Sequence, residues 1–275
     1  MKKLSILLAF AVISALGILF AVGSYLSKPS NHAVNMPDTF ENVVLKSTHG
    51  SILRAEKNSV CALLMHGVRS DRSSMIGKSL FLKENGITSL LIDLQAHGET
   101  PGDEITFGIR ESRDAENGLQ YLRAKENCEK VIAIGQSLGG ASALLGAGPI
   151  KVDALILESV YPTIEEAVEN RLEMRLGSAG RLLAPLLYQQ VPLRINASLD
   201  ELKPINALKK LHVPVFIISG TNDQRTKVDE TKRMYIEANE PKQLWLVDGA
   251  AHEDLLAYSP EEYKTKIMDF IKHSL

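Results

Sequence analysis

The chain has few of the residue types that build metal and cofactor sites. Its 275 residues include two cysteines, one tryptophan and only 5% aromatic residues. No group of histidines, cysteines and acids has metal-ligand spacing, and no glycine-rich turn has the spelling of a phosphate-binding loop. We therefore predict neither a metal nor an organic cofactor.

An excess of charge of either sign is also missing. The chain has 31 basic and 33 acidic residues, and without Lys2 and Lys3 the balance is 29 − 33 = −4. Such a balance gives no indication of a nucleic-acid partner, and no repeat or low-complexity tract interrupts the chain. The function must therefore reside in a local site.

Charge is entirely absent from residues 4–27, which are mostly apolar. About 20 such residues span a bilayer core, whereas secretory apolar cores usually run about 7 to 15. We therefore favour an uncleaved signal anchor over residues 1–27, outside the globular fold, with the catalytic domain beyond the cell membrane as a single-pass protein. Cleavage near Ala21-Val22-Gly23 and secretion is the alternative. No cysteine follows the run to accept a lipid.

Residues 28–38 read as a polar linker with two prolines, and residues 39–275 as one α/β domain. Short apolar runs alternate with amphipathic segments, which predicts a mostly parallel sheet with helices on both faces. The predicted strands are 43–46, 52–55, 60–65, 87–94, 131–134, 152–157, 215–219 and 243–247. The predicted helices are 72–84, 107–123, one from 138 onward, 233–238 and 261–273.

The most informative stretch is Gly135-Gln136-Ser137-Leu138-Gly139, between an apolar strand and a segment of small apolar residues. This is the G-x-S-x-G spelling of a nucleophile elbow. A strand that turns directly into a helix strains the central serine, so residues on both sides must be nearly free of side chain. The free N–H of Leu138 at the helix start could bind a developing oxyanion.

Other polar residues follow predicted strands, where ligands bind in open α/β sheets. His66-Gly67-Val68 follows one strand, Asp223 another and His252 the last. With the elbow, this pattern resembles the α/β-hydrolase family over residues 40–275. The nucleophile-acid-histidine order of that family matches Ser137, Asp223 and His252.

The resemblance implies a role for each residue. Ser137 would be the nucleophile, His252 its base and Asp223 the acid that orients the imidazole, with the N–H groups of Val68 and Leu138 as oxyanion donors. Glu158, which ends the strand after the elbow helix, is the alternative acid.

The loop 93–100 departs from the family spelling at three positions, and His66 and His97 are expected to support loops rather than act as bases. Residues 105–108 and 158–162 are similar to bacterial membrane-anchored or secreted serine hydrolases.

The resemblance thus implies a serine hydrolase that cleaves carboxylic esters or related acyl bonds of a small-molecule substrate through an acyl-enzyme. An amide or short-peptide hydrolase is the alternative enzyme, because the motif does not separate ester from amide. A non-catalytic binding protein on the same fold is the alternative from another class, although such proteins usually lose a triad residue. Relatives with dehalogenase or epoxide-hydrolase chemistry use Asp at the position of Ser137.

A helical cap is expected at about 161–202, where some 40 residues interrupt the βα alternation. Its apolar residues either pack on the core or line a pocket above Ser137, with Arg171, Arg175 and Arg181 at the rim or in solvent. These apolar residues are Leu172, Met174, Leu176, Leu182, Leu183, Leu186, Leu187 and Tyr188.

The strand order of the family places the strand of Cys61 beside the strand that follows Cys128. A disulfide is then possible outside the reducing cytoplasm. We nevertheless favour two separate thiols.

Overall fold

The computed structural model describes residues 2–56 and 59–275; the side chains of residues 2–9, 11, 12, 15 and 16 lie outside this description. In this part of the chain the strands are β1 Ser30–Asn31, β2 Glu41–Leu45, β3 Thr48–Leu53, β4 Val60–Met65, β5 Thr88–Ile92, β6 His97–Gly98, β7 Lys130–Gln136, β8 Ala154–Glu158, β9 Val215–Gly220 and β10 Lys242–Val247.

The α-helices are α1 Lys2–Leu26, α2 Ile76–Glu84, α3 Ser112–Ala124, α4 Leu138–Leu144, α5 Ile164–Leu176, α6 Ala184–Tyr188, α7 Val191–Ile195, α8 Pro204–Leu208, α9 Val228–Glu237, α10 Leu255–Tyr258 and α11 Pro260–Ser274. Short 3₁₀ helices cover Arg72–Met75, Ser178–Leu183 and Leu199–Leu202.

Eight of the strands form one sheet in the order β10-β9-β8-β7-β4-β5-β3-β2. Pairing is parallel from β10 to β5, and β3 is antiparallel to both of its neighbours. The predicted mostly parallel sheet is therefore confirmed, and each of the eight predicted strands overlaps an observed one, with ends that differ by up to four residues, as at β3. The carboxyl ends of the parallel strands share one edge of the sheet, where the candidate residues lie.

The core lies on both faces of this sheet, as the central strand β4 illustrates. Leu63 and Leu64 are both fully buried, but Leu63 belongs to the apolar cluster on one face and Leu64 to the cluster on the other. Successive side chains of a strand point to opposite faces, so a strand covered on both sides must be apolar throughout. This is why β4 reads as a continuous apolar run.

The helix predicted from residue 107 starts later, at Ser112. Phe107 has a φ of 54°, outside the helical region. The buried carboxylate of Glu111 accepts hydrogen bonds from the N–H groups of Thr106 (2.7 Å) and Gly108 (2.9 Å). These bonds hold a turn where the apolar pattern alone favours a helix.

The predicted signal anchor is wrong, and with it the single-pass location in the membrane. Within the described residues, no helix is both long enough and apolar enough to cross a membrane. Part of the predicted run falls on side chains outside the description.

The end of α1 packs on the protein. Arg194 of α7 donates a hydrogen bond of 2.9 Å to the hydroxyl of Ser24 and stacks over the ring of Phe20 at 4.2 Å. The end of this segment, which was expected to lie outside the globular fold, therefore contacts the domain.

The segment predicted as a linker is likewise attached to the domain. Ser30 and Asn31 pair with His97 and Gly98 in a two-stranded sheet. The side-chain amide of Asn31 donates a hydrogen bond of 2.7 Å to the carbonyl of Thr100. The chain between α1 and β2 therefore runs beside the 93–100 loop.

The two cysteines form a disulfide, which corrects the preference for separate thiols. Cys61 lies in β4 and Cys128 just before β7, and the two strands pair directly, so their Cα atoms are 5.9 Å apart. A separation in this range allows a disulfide. The pairing depends on strand adjacency, which the sequence does not state.

Loss of this disulfide should destabilise the fold measurably. The bond closes a loop with a sequence separation of 67 residues. In the chain-entropy account, a loop of this length stabilises the native state by about 4 kcal/mol, and measured effects usually range from about 2 to 5. We expect the Cys61→Ala/Cys128→Ala variant to lose that much in urea unfolding. Reductant should produce a similar loss in the wild type and none in the variant; an unresponsive wild type would contradict the prediction.

Candidate active site

Ser137 occupies a strained turn between β7 and α4. Its φ and ψ are 50° and −111°, a combination that costs a non-glycine residue free energy. A Cβ on Gly135 would lie 2.5 Å from the nitrogen of Gly140, and one on Gly139 would lie 2.3 Å from the carbonyl oxygen of Met65. The glycines of the G-x-S-x-G spelling are therefore required by close backbone approach.

Asp223 and His252 meet at the same edge of the sheet, after β9 and β10. The Nδ1 of His252 lies 2.8 Å from Oδ2 of Asp223, whose other oxygen accepts hydrogen bonds from the N–H groups of Arg225 (2.8 Å) and Thr226 (2.9 Å). Burial opposes ionisation, but the hydrogen bond and charge of His252, together with the two amides, lower the pKa of Asp223. A carboxylate only accepts, so Nδ1 carries the proton and Nε2 is left able to accept one.

A hydrogen bond links the turn of Ser137 to the loop of His252. The side-chain amide of Gln136, which precedes Ser137, donates to the carbonyl of Glu253, which follows His252, at 3.1 Å. The structure therefore brings three residues distant in sequence to one region: Ser137, Asp223 and His252.

Glu158, the alternative acid, is engaged elsewhere. Its carboxylate accepts a hydrogen bond from the hydroxyl of Tyr263 and lies 3.3 Å from Nζ of Lys78, which is itself 2.7 Å from Asp254. Lys78 is buried; burial opposes its charge, but the two carboxylates prevail and raise its pKa. Asp223 is therefore the acid in contact with His252, while Glu158 belongs to a buried polar cluster connected to the His252 loop through Asp254.

The two candidate oxyanion donors lie near Ser137. Val68 and Leu138 line the same cavity as Ser137, and a Cβ on Gly67 would lie 3.7 Å from Cβ of Ser137. Within the described residues, neither the N–H of Val68 nor that of Leu138 donates to another protein group. Both amides are therefore available to an oxygen bound in the cavity.

His66 and His97 are buried, and their rings are in edge-on contact with centroids 5.2 Å apart. His66 accepts a hydrogen bond of 3.1 Å from the N–H of Leu94 through Nε2, and His97 bonds the carbonyl of Gln95 at 2.8 Å through Nδ1. Burial lowers the pKa of each to about 4. Both hold loops, as predicted.

The 93–100 loop is also held by ionic contacts. The buried carboxylate of Asp93 pairs with the buried guanidinium of Arg72, which also binds Glu99 at 2.5 Å. Glu99 donates its N–H to Asp93 at 2.9 Å. The loop is therefore held by buried ionic contacts although it departs from the family spelling at Gln95, Ala96 and Thr100.

A cavity of about 400 Å³ opens beside Ser137. Its apolar wall is formed by residues from α1, the β4 loop, the turn before α3, the elbow and the segment 161–202: Val22, Leu26, Val68, Phe107, Leu138, Tyr161, Ile164, Ala167, Val168, Leu172, Met174 and Leu187. Four arginines complete it: Arg69, Arg171, Arg175 and Arg225.

The cap residues divide between cavity and surface. Leu172, Met174 and Leu187 line the cavity, whereas Leu182 and Leu183 are exposed and do not. Leu176 and Leu186 are also exposed and do not line the cavity. Tyr188 packs against the core.

The arginines of the cap also divide. Arg171, which is half-buried, and Arg175, which is exposed, both border the cavity. Arg181 instead lies on the surface, paired with Glu169 at 2.9 Å and Glu173 at 3.6 Å.

Sequence reasoning missed several contributions to this cavity, Arg69 among them. Val22 and Leu26 come from a segment predicted to lie outside the fold. Arg225 lies two residues after Asp223. A single arginine in a loop has no sequence pattern that would place it beside this cavity.

The family model described as the alpha/beta hydrolase family matches residues 62–265. The chain therefore belongs to the alpha/beta hydrolase family, and it is a hydrolase.

The chain is 26% identical over 214 residues to uncharacterized protein YqkD of Bacillus subtilis, covering 76% of this chain and 70% of that protein. Among solved structures, the Pyrococcus furiosus esterase Pf2001 is similar with a TM-score of 0.74 and 20% identity, over 90% of this chain and 98% of that one. A serine hydrolase without lid from Xanthomonas campestris is similar with a TM-score of 0.59 and 14% identity, over 88% and 98%. At these identities the structural likeness concerns the fold.

Proposed function

We propose that the protein hydrolyses carboxylic esters through a covalent acyl-enzyme formed on Ser137. The observation that carries the proposal is the 2.8 Å hydrogen bond between Asp223 and His252, joined through Gln136 to the strained turn of Ser137. A serine hydroxyl is a poor nucleophile unless a base removes its proton. His252, with Nδ1 held by a carboxylate, presents Nε2 as that base.

In the proposed reaction, Nε2 of His252 takes the proton as Oγ of Ser137 attacks the ester carbonyl carbon. The N–H groups of Leu138 and Val68 stabilise the oxyanion. The intermediate then expels the alcohol oxygen, which receives the proton from His252. Water, activated by the same base, hydrolyses the acyl-enzyme and releases the acid and free Ser137. Asp223 stays ionised and stabilises the imidazolium, which its lowered pKa favours.

The apolar part of the cavity favours acyl chains of several carbons. Leu172, Met174 and Leu187 line it together with Ser137. Each buried methylene contributes up to about 0.8 kcal/mol, which is several-fold in specificity. A substrate with an acetyl group would leave most of this surface uncovered.

We expect kcat/KM to rise roughly tenfold or more from p-nitrophenyl acetate to p-nitrophenyl hexanoate. Leu187→Asn should flatten this trend because it places an amide in the apolar wall. Met174→Gln tests the same wall at a side chain that is 53% exposed and so less important for folding. Kinetics over acyl chains of two to eight carbons measure the effect.

Leu183→Gln is the matched control, since Leu183 belongs to the same segment but is 44% exposed and does not line the cavity. It should keep the wild-type trend. A wild-type preference for acetyl over hexanoyl would contradict the apolar pocket and leave the roles of Ser137 and His252 standing. Absence of turnover for every ester in the series would count against the esterase proposal itself.

A further inference from the structure

The cavity beside Ser137 contains positive charge without a matching negative charge. Arg69, Arg171, Arg175 and Arg225 line it, and no carboxylate does so among the described residues. An apolar pocket for a neutral acyl chain needs none of these guanidinium groups. Arg171 is half-buried and loses part of its hydration there, whereas Arg69, Arg175 and Arg225 are exposed around it. The charge of Arg171, with further arginines around it, therefore requires an explanation.

Among the described residues, none of these four arginines forms an ion pair. Among the described residues, the guanidinium groups of Arg175 and Arg225 form neither a hydrogen bond nor an ion pair, and that of Arg171 donates only to the carbonyl of Ala167, at 3.0 Å. Arg69 is more fully engaged: it donates to the carbonyls of Tyr25 at 2.6 Å and Leu26 at 3.3 Å, and its guanidinium lies 5.4 Å from the centroid of the Tyr25 ring. Arg171, Arg175 and Arg225 are therefore the arginines with most of their donors left for a bound anion.

The nearby acids of α5 are already paired with other cations. Glu173 contacts Lys227 at 2.6 Å and Arg181 at 3.6 Å. Glu169 binds Arg181 at 2.9 Å, and Glu166 binds Arg233. These acids leave Arg171 and Arg175, on the same helix, uncompensated.

The charges of the three arginines also act on one another. Arg171 is half-buried, and burial, followed by the positive charges of Arg225 and then Arg175, lowers its pKa, with Asp223 and Tyr161 opposing. Asp223 is the carboxylate whose charge acts on Arg171. Its oxygens, however, are already bonded to His252 and to two backbone amides. An anion bound among the arginines would relieve their mutual repulsion.

We propose that the substrate of this site is an amphipathic anionic ester, whose apolar chain lies on Leu172 and Leu187 and whose carboxylate or phosphate binds Arg171, Arg175 and Arg225. This inference rests on the proposed function. Guanidinium groups bind carboxylate and phosphate oxygens in the same planar, forked geometry, so the two anions share one recognition chemistry.

The first test compares p-nitrophenyl esters of equal chain length and different charge. These are the neutral hexanoate, the adipate monoester with a terminal carboxylate, the 6-phosphooxyhexanoate and the cationic 6-trimethylammoniohexanoate. We expect kcat/KM for the better of the two anionic esters to exceed that of the neutral ester by about tenfold, and the cationic ester to be the poorest. The carboxylate and phosphate arms show which anion the site prefers. The preference should shrink at about 1 M salt, where charges are screened within about 3 Å.

Variants connect the preference to the arginines. Arg171→Gln should reduce the anionic-to-neutral ratio of kcat/KM by about tenfold, and Arg225→Gln, at an exposed position that folding depends on less, should reduce it severalfold. Arg181→Gln is the matched control: it removes a paired arginine outside the cavity and should leave the ratio unchanged. A wild type that prefers the neutral or cationic ester, or an anionic preference that survives both variants, would overturn the proposal.

Binding separates this proposal from the esterase proposal. Calorimetric titration of the Ser137→Ala variant with monohexyl phosphate and with adipate monoamide requires no catalysis. We expect at least one to bind, and Arg171→Gln or Arg225→Gln in that background to weaken the affinity severalfold or more, with 1-hexanol unaffected. Binding without ester turnover in the wild type would reject the esterase proposal alone. Turnover of neutral esters, with no anion bound and no anionic preference, would reject the anionic substrate alone.

Discussion

Ser137→Ala should reduce ester turnover by a factor of about 10⁵ or more, because it removes the only atom proposed to form a bond to the acyl group. The change deletes one oxygen from a side chain that is 2% exposed and keeps a Cβ at the strained turn, so the fold should persist. The residual rate would come from the oxyanion donors and substrate binding alone. Stopped assays with p-nitrophenyl hexanoate and labelling with a fluorophosphonate measure the loss, and the label should be absent from the variant.

Ser142→Ala provides the matched control for this experiment. Ser142 lies in the same helix, α4, and its buried hydroxyl donates only to the carbonyl of Leu138, at 2.7 Å. Its loss should leave labelling and turnover within a few-fold of wild type. Full fluorophosphonate labelling of the Ser137→Ala variant would identify another nucleophile and overturn the assignment.

Asp223→Asn should lower kcat by about 10⁴-fold with little change in the fold. The amide can donate to Nδ1 of His252, which favours the tautomer with its proton on Nε2 and so removes the base. It also removes the negative charge that stabilises the imidazolium. Steady-state kinetics above pH 7, with circular dichroism as the check on folding, give the measurement.

Glu158→Gln separates the two candidate acids. Glu158 contacts Tyr263 and Lys78 rather than His252, so its amide variant should keep kcat within about tenfold while losing stability, since the buried Lys78 loses one of its carboxylate partners. A larger loss of kcat for Glu158→Gln than for Asp223→Asn would exchange the two roles.

The strands and the elbow could be read from the sequence because their causes are local. The run VCALLM in β4 is apolar throughout since its side chains alternate between two buried faces. Gly135 and Gly139 flank Ser137 because the strand-to-helix turn leaves no room for Cβ atoms. The start of α3 was misplaced because the carboxylate of Glu111 holds a turn that apolar periodicity does not detect.

The eight strands of the main sheet, their mostly parallel pairing and the positions of Ser137, Asp223 and His252 at strand ends could be inferred from the amino-acid sequence. Each follows from side chains within a few positions of one another, acting through periodicity and turn geometry. Four other features required the folded chain: the pairing of Cys61 with Cys128, the acid that meets His252, the packing of the end of α1 and the gathering of Arg171, Arg175 and Arg225 around one cavity. These depend on distances between residues far apart in the chain, which are set by which strands become neighbours and how the connecting segments pack over them.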